Sequence, residues 1–319
     1  MTTPAQKITT PAQTELDISN FREDQQANGR AEETIRSRTQ ALRQVSKIVD
    51  INDPNLVKQW LGDTKNEHQF SKPCTWTNKT KVKFVDTYQT YLNYKGFTWN
   101  KPRYQVTQKL PFIPTELEID QLIASCGTVT ATVLQMLKET GMRIGELTQL
   151  NATDIDYERK TVNITPEKGS NPRILPISDK LIAMTKALPK DPRAKYKTLF
   201  QNHKDTLRDY LCSQRKAVAQ KLNNPRIAKI GFHTLRHWKG TMLYHDLHDL
   251  RHVQKVLGHK QITSTVIYEN TACALWLEDI NDNFVCKVAH NEQEETELIN
   301  TGFQHVNNRG ELAFYKKRK

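Results

Sequence analysis

The 319-residue chain contains no apolar run near the ~18 residues that a membrane-spanning helix needs. Its opening stretch, MTTPAQKITTPAQTELD, has no hydrophobic segment of a secretory signal. A soluble, cytoplasmic protein with no membrane partner is the expectation. Cysteine is scarce and scattered. Cys74, Cys126, Cys212, Cys273 and Cys286 are odd in number and form no Cys-x-x-Cys, which argues against a disulfide framework or a zinc ribbon and for buried, reduced thiols. Acidic residues are outnumbered: 35 Asp and Glu against 47 Lys and Arg leave a net +12. That surplus calls for an anionic partner, either nucleic acid or an acidic membrane surface. No internal repeat is visible.

Against a prior of roughly 150 residues per domain, the length suggests two domains. Residues 1–16, rich in Thr, Pro, Ala and Gln, read as a disordered tail. From 17 to 109 strand signals are sparse and the pattern is helical. Ile35, Leu42, Val45 and Val49 repeat at helical spacing, as do Val82, Val85, Tyr88 and Leu92 before Gly96 stops the run. The stretch KPRYQVTQKLPFIPT (101–115) has three prolines and no clear period, so the boundary falls near 110. Beyond it Thr115 and Glu118 have capping-box spacing, 128–141 reads as a helix ending at Gly141, and IGELTQL as a short one. Thr161 to Thr165 and Arg173 to Ile177 are β-prone runs joined by a Gly- and Pro-containing loop, a hairpin pattern. Helical patterns resume to about Asn270. The segment 284–319 reads as strand, helix, strand, a turn at NNRG, and strand.

Charge is unevenly placed. Residues 72–109 hold eight bases and one acid, and 186–229 hold twelve and three, whereas 269–311 hold nine acids and two bases. Two basic segments, one in each domain, fit a grip on a duplex from two sides, with Lys79, Lys81, Lys83, Lys101 and Arg103 as DNA-contact candidates. Solvated helix faces are the ordinary alternative. The eight aromatics of 72–109 read as core rather than as base-stacking groups. After Tyr268, the run ACALWLEDI carries Leu275, Trp276 and Ile280, an apolar set at helical spacing on an acidic stretch.

The residues that carry chemistry lie in the second domain. ETGMRIGEL presents Arg143 after a helix stop, and GFHTLRHWKG places His233 and Arg236 on one helical face with His237 a turn on. VLGHK ends a helix at Gly258 and presents His259; STVIYENT contains Tyr268. The order Arg…His-x-x-Arg-His…Gly-His…Tyr resembles the tyrosine recombinase (phage integrase) family over residues 112–270. The basic helical region before it is similar to that family's core-binding domain, and the tail is similar to one associated with archaeal integrases.

The resemblance implies a mainly α fold: a helical core-binding, DNA-binding domain (17–109), a mostly helical catalytic domain with a small antiparallel β-sheet (110–283), and a β-α-β-β extension (284–319). It implies site-specific cleavage and rejoining of double-stranded DNA through a 3′-phosphotyrosyl intermediate, whether for integration or excision of a mobile element or for resolution of chromosome dimers, close to the nucleoid. In that scheme Tyr268 is the nucleophile, Arg143 and Arg236 hold the non-bridging oxygens, and His233 is the base. His259 donates to the phosphorane, Lys168 in the hairpin loop protonates the leaving oxygen or, on the plainer reading, contacts a phosphate, and Glu146 supports a neighbouring side chain. A C-shaped clamp and a homotetramer on paired sites, linked through the final element, are implied as well. No metal, nucleotide or other cofactor is implied. Planar, permanently charged arginines suit a metal-free phosphoryl transfer, and a phosphotyrosyl bond keeps the energy needed for rejoining.

Three readings compete with this one. The His-x3-His pairs 233/237 and 248/252 have zinc spacing, although HTLRH lacks a metalloprotease glutamate. A type IB topoisomerase shares the chemistry but does not exchange partners. A non-catalytic DNA-binding protein shares the fold alone.

Overall fold

The computed structural model describes residues 10–65, 67, 70–167, 169–189, 198–200, 204–276, 284–310 and 312–318, without the side chains of Phe284, Arg309 and Arg318. The chain divides into two compact units, residues 1–108 and 109–319. Among the described residues no helix is long and apolar enough to cross a membrane.

The first unit is helical: α1 (Pro11–Ala27), α2 (Glu32–Ser46), α3 (Pro54–Gly62) and α4 (Asn78–Lys95). Helix α1 corrects the reading of 1–16 as a disordered tail from Pro11 onward; 1–9 lie outside the described residues. Thr10 caps the helix through its side chain, and Pro11 at its start brings a backbone angle already set for it. Composition misses this because a turn of Thr, Ala and Gln looks unstructured until Ile18 and Phe21 meet the core. That core gathers Phe21, Leu42, Val45, Trp60, Phe84, Tyr88, Tyr91 and Leu92, so most aromatics of 72–109 are interior; Tyr94 and Phe97 are exposed. Buried phenols find acceptors, Tyr88 donating to the Ile51 carbonyl at 2.8 Å and Tyr91 to the Asn52 amide oxygen at 3.0 Å. Gly96 closes α4 at φ 73°, a conformation costly for a residue with a Cβ.

Lys81 is corrected from a DNA-contact candidate to a core residue. It is 5% exposed, its Nζ donates to the Leu61 carbonyl at 2.6 Å, and the ammonium lies 5.3 Å from the centre of the Tyr104 ring. The spacing 81, 85, 88, 92 places it on the apolar face of α4, so its stem packs inward and its charge ends on a carbonyl and a π face. Lys79, Lys83, Lys101 and Arg103 are exposed, and Lys101 is paired with Asp86 at 2.7 Å.

The second unit contains α5 (Glu116–Ala124), α6 (Thr128–Thr140), α7 (Ile144–Thr148), a small antiparallel sheet, α8 (Asp179–Lys186), α9 (Lys204–Lys221), α10 (Phe232–Leu247), α11 (Leu250–Leu257) and α12 (Val266–Leu275). The Thr115–Glu118 capping box is formed in both directions. The sheet has the order β1 (Ile155–Asp156), β2 (Thr161–Ile164), β3 (Arg173–Pro176). Strand β1, two residues long, is too short to leave a pattern in the sequence. Helix α10 packs against α6, α11 and α12, and the core runs through Leu134, Leu137, Leu147, Val162, Ile164, Leu181 and Leu235.

The segment 284–318 forms a sheet of its own, with β4 (Phe284–Ala289), α13 (Glu292–Asn300), β5 (Gln304–Arg309) and β6 (Leu312–Arg318) in chain order and β6 central. Ala289, Leu298, Ala313 and Tyr315, with Phe303, make a separate small core. The turn is tighter than the NNRG composition suggests: Asn307 to Arg309 pair within β5, and the reversal contains Gly310 at φ 62°. Helix α12 ends at Leu275, which is exposed, and Trp276 stacks on His245 at 4.0 Å; Ile280 lies outside the described residues. All five cysteines are free. Cys74 is buried, whereas Cys126, Cys212 and Cys273 are half-buried and Cys286 is exposed, which corrects the expectation of burial for all of them.

Candidate active site

Two glycine-terminated helices and one face of α10 build the site. Helix α6 stops at Gly141 in the left-handed region, φ 62°, and the chain turns so that Arg143 caps α7. The Arg143 N–H donates to Glu146 Oε2 at 2.8 Å, while its guanidinium, about one third exposed, makes one longer contact of 3.3 Å to Glu146 Oε1. Helix α11 stops at Gly258, φ 69°, and delivers His259. Tyr268 is the third residue of α12, and its N–H donates to the Thr265 carbonyl at 2.9 Å.

From α10, Arg236 is almost fully buried and spans the two glycine turns. Its Nη1 donates to the Gly141 carbonyl and its Nη2 to the Leu257 carbonyl, each at 2.7 Å. Burial and the charge of Arg143 push its pKa down to about 10, so it stays cationic at neutral pH. His233 lies one turn earlier, edge-on to His237 with ring centres 4.5 Å apart. Burial first, then the charges of Arg236 and Arg143, lower the His233 pKa. The same causes act on His259, whose pKa falls to about 4. Both imidazoles are therefore neutral at pH 7 in the absence of an anion, which leaves His233 able to accept a proton. His259 Nδ1 shares a 2.9 Å hydrogen bond with the Thr265 hydroxyl; where threonine is the donor, the ring's proton sits on Nε2.

Tyr268 is 2% exposed. Burial raises its phenol pKa, opposed in part by the charges of Arg236 and Arg143 and by a hydrogen bond from Arg236. Its ring runs parallel to His259, with centres 6.1 Å apart, and lies 5.8 Å from the His237 ring. Gly240 forms the floor of this slot. A Cβ there would come within 2.8 to 2.9 Å of three carbons at the phenol end of the ring, closer than packed carbons approach, so any side chain at 240 displaces the tyrosine.

The structure thus brings Arg143, Glu146, His233, Arg236, His259 and Tyr268 together. Lys168 lies outside the described residues. Its neighbours in the β2–β3 loop are fastened to the His259 turn: Ser170 Oγ donates to the Gly258 carbonyl at 2.7 Å, and the Asn171 N–H donates to the same oxygen at 2.9 Å. Gly258 must be glycine on two counts, its positive φ and the crowding of a Cβ by Arg173, Asn171 and Ser170 at 2.8 to 2.9 Å.

Sequence reasoning misses two residues of the site. Gly240 stands one helical turn beyond Arg236, a spacing that places it on the same face of α10. Arg173 opens β3, and the alternation Arg-Ile-Leu-Pro turns Arg173 and Leu175 inward while Ile174 stands 67% exposed. A charge on the inward face of a strand is the available signal. His237, placed a turn beyond His233 by spacing, joins the site as a neighbour of the Tyr268 ring. Among the described residues, no three His, Cys, Asp or Glu side chains converge as metal ligands. Three guanidiniums and one carboxylate make the site cationic, a setting for an anion.

The chain belongs to the phage integrase family, whose model matches residues 114–274. It is 31% identical over 231 residues to the tyrosine recombinase XerD of Staphylococcus saprophyticus, covering 67% of this chain and 71% of that protein. It is 25% identical over 274 residues to the tyrosine recombinase XerC of Corynebacterium glutamicum, covering 79% and 86%. Among solved structures it is similar in fold to the Tn1549 transposon integrase in complex with transposon right end DNA, with TM-score 0.58, 15% identity and coverage of 82% of this chain and 98% of that one. A lambda integrase dimer bound to a core site gives TM-score 0.55, 13% identity and coverage of 81% and 95%.

Proposed function

We propose that this protein, a tyrosine-type site-specific DNA recombinase by family, cleaves a duplex by attack of Tyr268 on a phosphodiester, forming a 3′-phosphotyrosyl bond and releasing a 5′-hydroxyl that can later reverse the step. The observation that carries this reading is one buried tyrosine whose ring lies beside His259 and His237 and whose phenol feels the charges of Arg236 and Arg143, with His233 edge-on to His237. The arginines hold the non-bridging oxygens and stabilise the charge of the phosphorane. His233, neutral before DNA binds, takes the phenolic proton, and His259 donates to a phosphorane oxygen. Lys168 protonates the departing 5′-oxygen, which is a poor leaving group as an alkoxide. No step requires a metal or ATP. Sequencing the DNA left on the protein after denaturation tests the function and reveals the target; recovery of random sequence with no preferred junction would count against site specificity.

The first unit and the exposed lysines of the second serve as the duplex grip, in the cytoplasm beside the nucleoid. Two segments neutralising on the order of 6 to 10 phosphates would lose roughly 10³ to 10⁵ in affinity between 50 and 200 mM salt. Replacing Lys79 and Lys83 by glutamine should flatten that dependence by up to about two counterions. Lys81→Met should instead leave the salt slope intact and alter the melting of the first unit, because its ammonium is committed to Leu61 and Tyr104. Filter binding across salt, with thermal melts of each variant, separates the two; a slope change on Lys81→Met would reverse the assignment.

The working form on paired sites is a tetramer in this reading. A groove of about 980 Å³ in the second unit has Trp238, Leu243, Leu175 and Val256 on its walls, and Lys138, Lys180, Lys239 and Lys255 outnumber Glu116 and Glu139 around it. Its chemistry complements the apolar, acidic sequence LWLEDIND at 275–282 of a neighbouring copy. Truncation after Thr271 should leave duplex binding and single-site cleavage detectable and weaken synapsis of two sites on native gels. Unfolding of the truncated protein would assign the segment to its own domain.

A further inference from the structure

Glu146 is a fully buried carboxylate with two arginines competing for it. Arg173 Nη2 donates to Oε2 at 2.7 Å and Nη1 to Oε1 at 3.3 Å, the forked geometry that suits a carboxylate best. The Arg143 side chain reaches only Oε1, at 3.3 Å, and remains about one third exposed. Arg173 is itself only 8% exposed, and its Nε has no hydrogen-bond partner among the described residues. A buried charge left partly unsatisfied is expensive, so a guanidinium at this position needs a reason beyond packing. Burial alone would raise the Glu146 pKa, but the hydrogen bonds from Arg173 and the Arg143 N–H, with the charges of Arg173 and Arg236, hold it below the ordinary carboxylate range. Glu146 therefore stays ionised, and its charge has to be directed somewhere.

We propose that Arg173 is a positioning residue for Arg143: by occupying the Glu146 carboxylate in a fork, it leaves the Arg143 guanidinium free to take the phosphate. Without it, the Arg143 side chain is the remaining side-chain hydrogen-bond partner of the ionised Glu146 among the described residues, and a two-pronged Arg143–Glu146 pair would hold that guanidinium away from DNA. The inference rests on the reading of Arg143 as a phosphate donor.

The experiment measures single-turnover cleavage of a nicked duplex that carries the recovered site and traps the tyrosyl adduct, together with thermal unfolding of each variant. Arg173→Met should slow cleavage by roughly 10²-fold, the scale of a misplaced reacting or positioning group. Adding Glu146→Gln to that variant should return at least about tenfold of the loss, because Arg143 is then no longer captured by a carboxylate. A purely structural role for Arg173 would show as a loss of melting temperature that Glu146→Gln also relieves, so rates are compared at a temperature where every variant is folded; there a structural role predicts no loss of rate to restore. If Arg173→Met melts below the assay temperature, Arg173→Lys replaces it; the lysine cannot reproduce the fork, and its smaller loss should again shrink when Glu146 is glutamine. Failure of the second substitution to restore rate, while Arg143→Ala is inactive, overturns the proposal and leaves the role of Arg143 intact. An Arg143→Ala protein that cleaves normally overturns both.

Discussion

Tyr268→Phe will form no covalent DNA adduct while keeping its fold and its affinity for duplex DNA. Only the phenolic oxygen is removed, and the ring keeps its place above Gly240 and beside His259. Loss of the phenol's polar interaction with Arg236 should cost at most about the 0.5–1.5 kcal/mol of an ordinary hydrogen bond, too little to unfold the domain. Denaturing gels of the wild-type protein on a suicide duplex should show an adduct that persists in excess EDTA, and peptide mapping should place it on Tyr268 with a 3′-phosphate and a free 5′-hydroxyl. An adduct on Tyr244 or Tyr315, or through a 5′-phosphate, would be incompatible with the mechanism. Tyr244 is a poor competitor on the structure, since its hydroxyl donates to Glu269 at 2.9 Å and phosphate would be repelled there.

Arg236→Ala should damage catalysis and folding together. In the proposed mechanism one strong donor to the phosphorane is lost, worth on the order of 10² to 10³ in cleavage rate. In addition, the Gly141 and Leu257 carbonyls lose the donors they now have at 2.7 Å; buried unpaired groups cost about 1–3 kcal/mol each. Arg236→Lys separates the two effects. Its ammonium keeps the charge but cannot present two nitrogens to two carbonyls while facing a phosphate, so the melting temperature should recover more than the rate. Calorimetry beside single-turnover kinetics makes the comparison, and an Arg236→Lys protein with wild-type cleavage would show that charge alone suffices.

Several local features are readable because neighbouring residues decide them. Gly96, Gly141 and Gly258 end helices wherever the rest of the chain lies, since a left-handed residue after a periodic run costs glycine least. The Thr115–Glu118 box closes on itself within four residues. Spacing likewise sets His233 and Arg236 on one face of α10, and the ordered Arg, His, Arg, His and Tyr resemble the family to which the chain belongs. The start of α1 is harder, because Thr10 and Pro11 look like loop until the turns after them are anchored.

By itself, then, the sequence determined the helix stops, the hairpin, the basic balance and the residue types available for phosphoryl transfer, most of them consequences of contacts within a few residues. Which charges are free for DNA and which are committed inside the protein was decided only by tertiary structure. Lys81 became interior because Leu61 and Tyr104, distant in the chain, close over it. Arg173 joined the site because antiparallel pairing of β3 with β2 turns it toward Glu146, 27 residues earlier. Gly240 mattered only once α12 laid Tyr268 across it. A charged side chain has the same formula on a solvated face and in a buried pair, and the difference in desolvation between them arises only when remote segments meet.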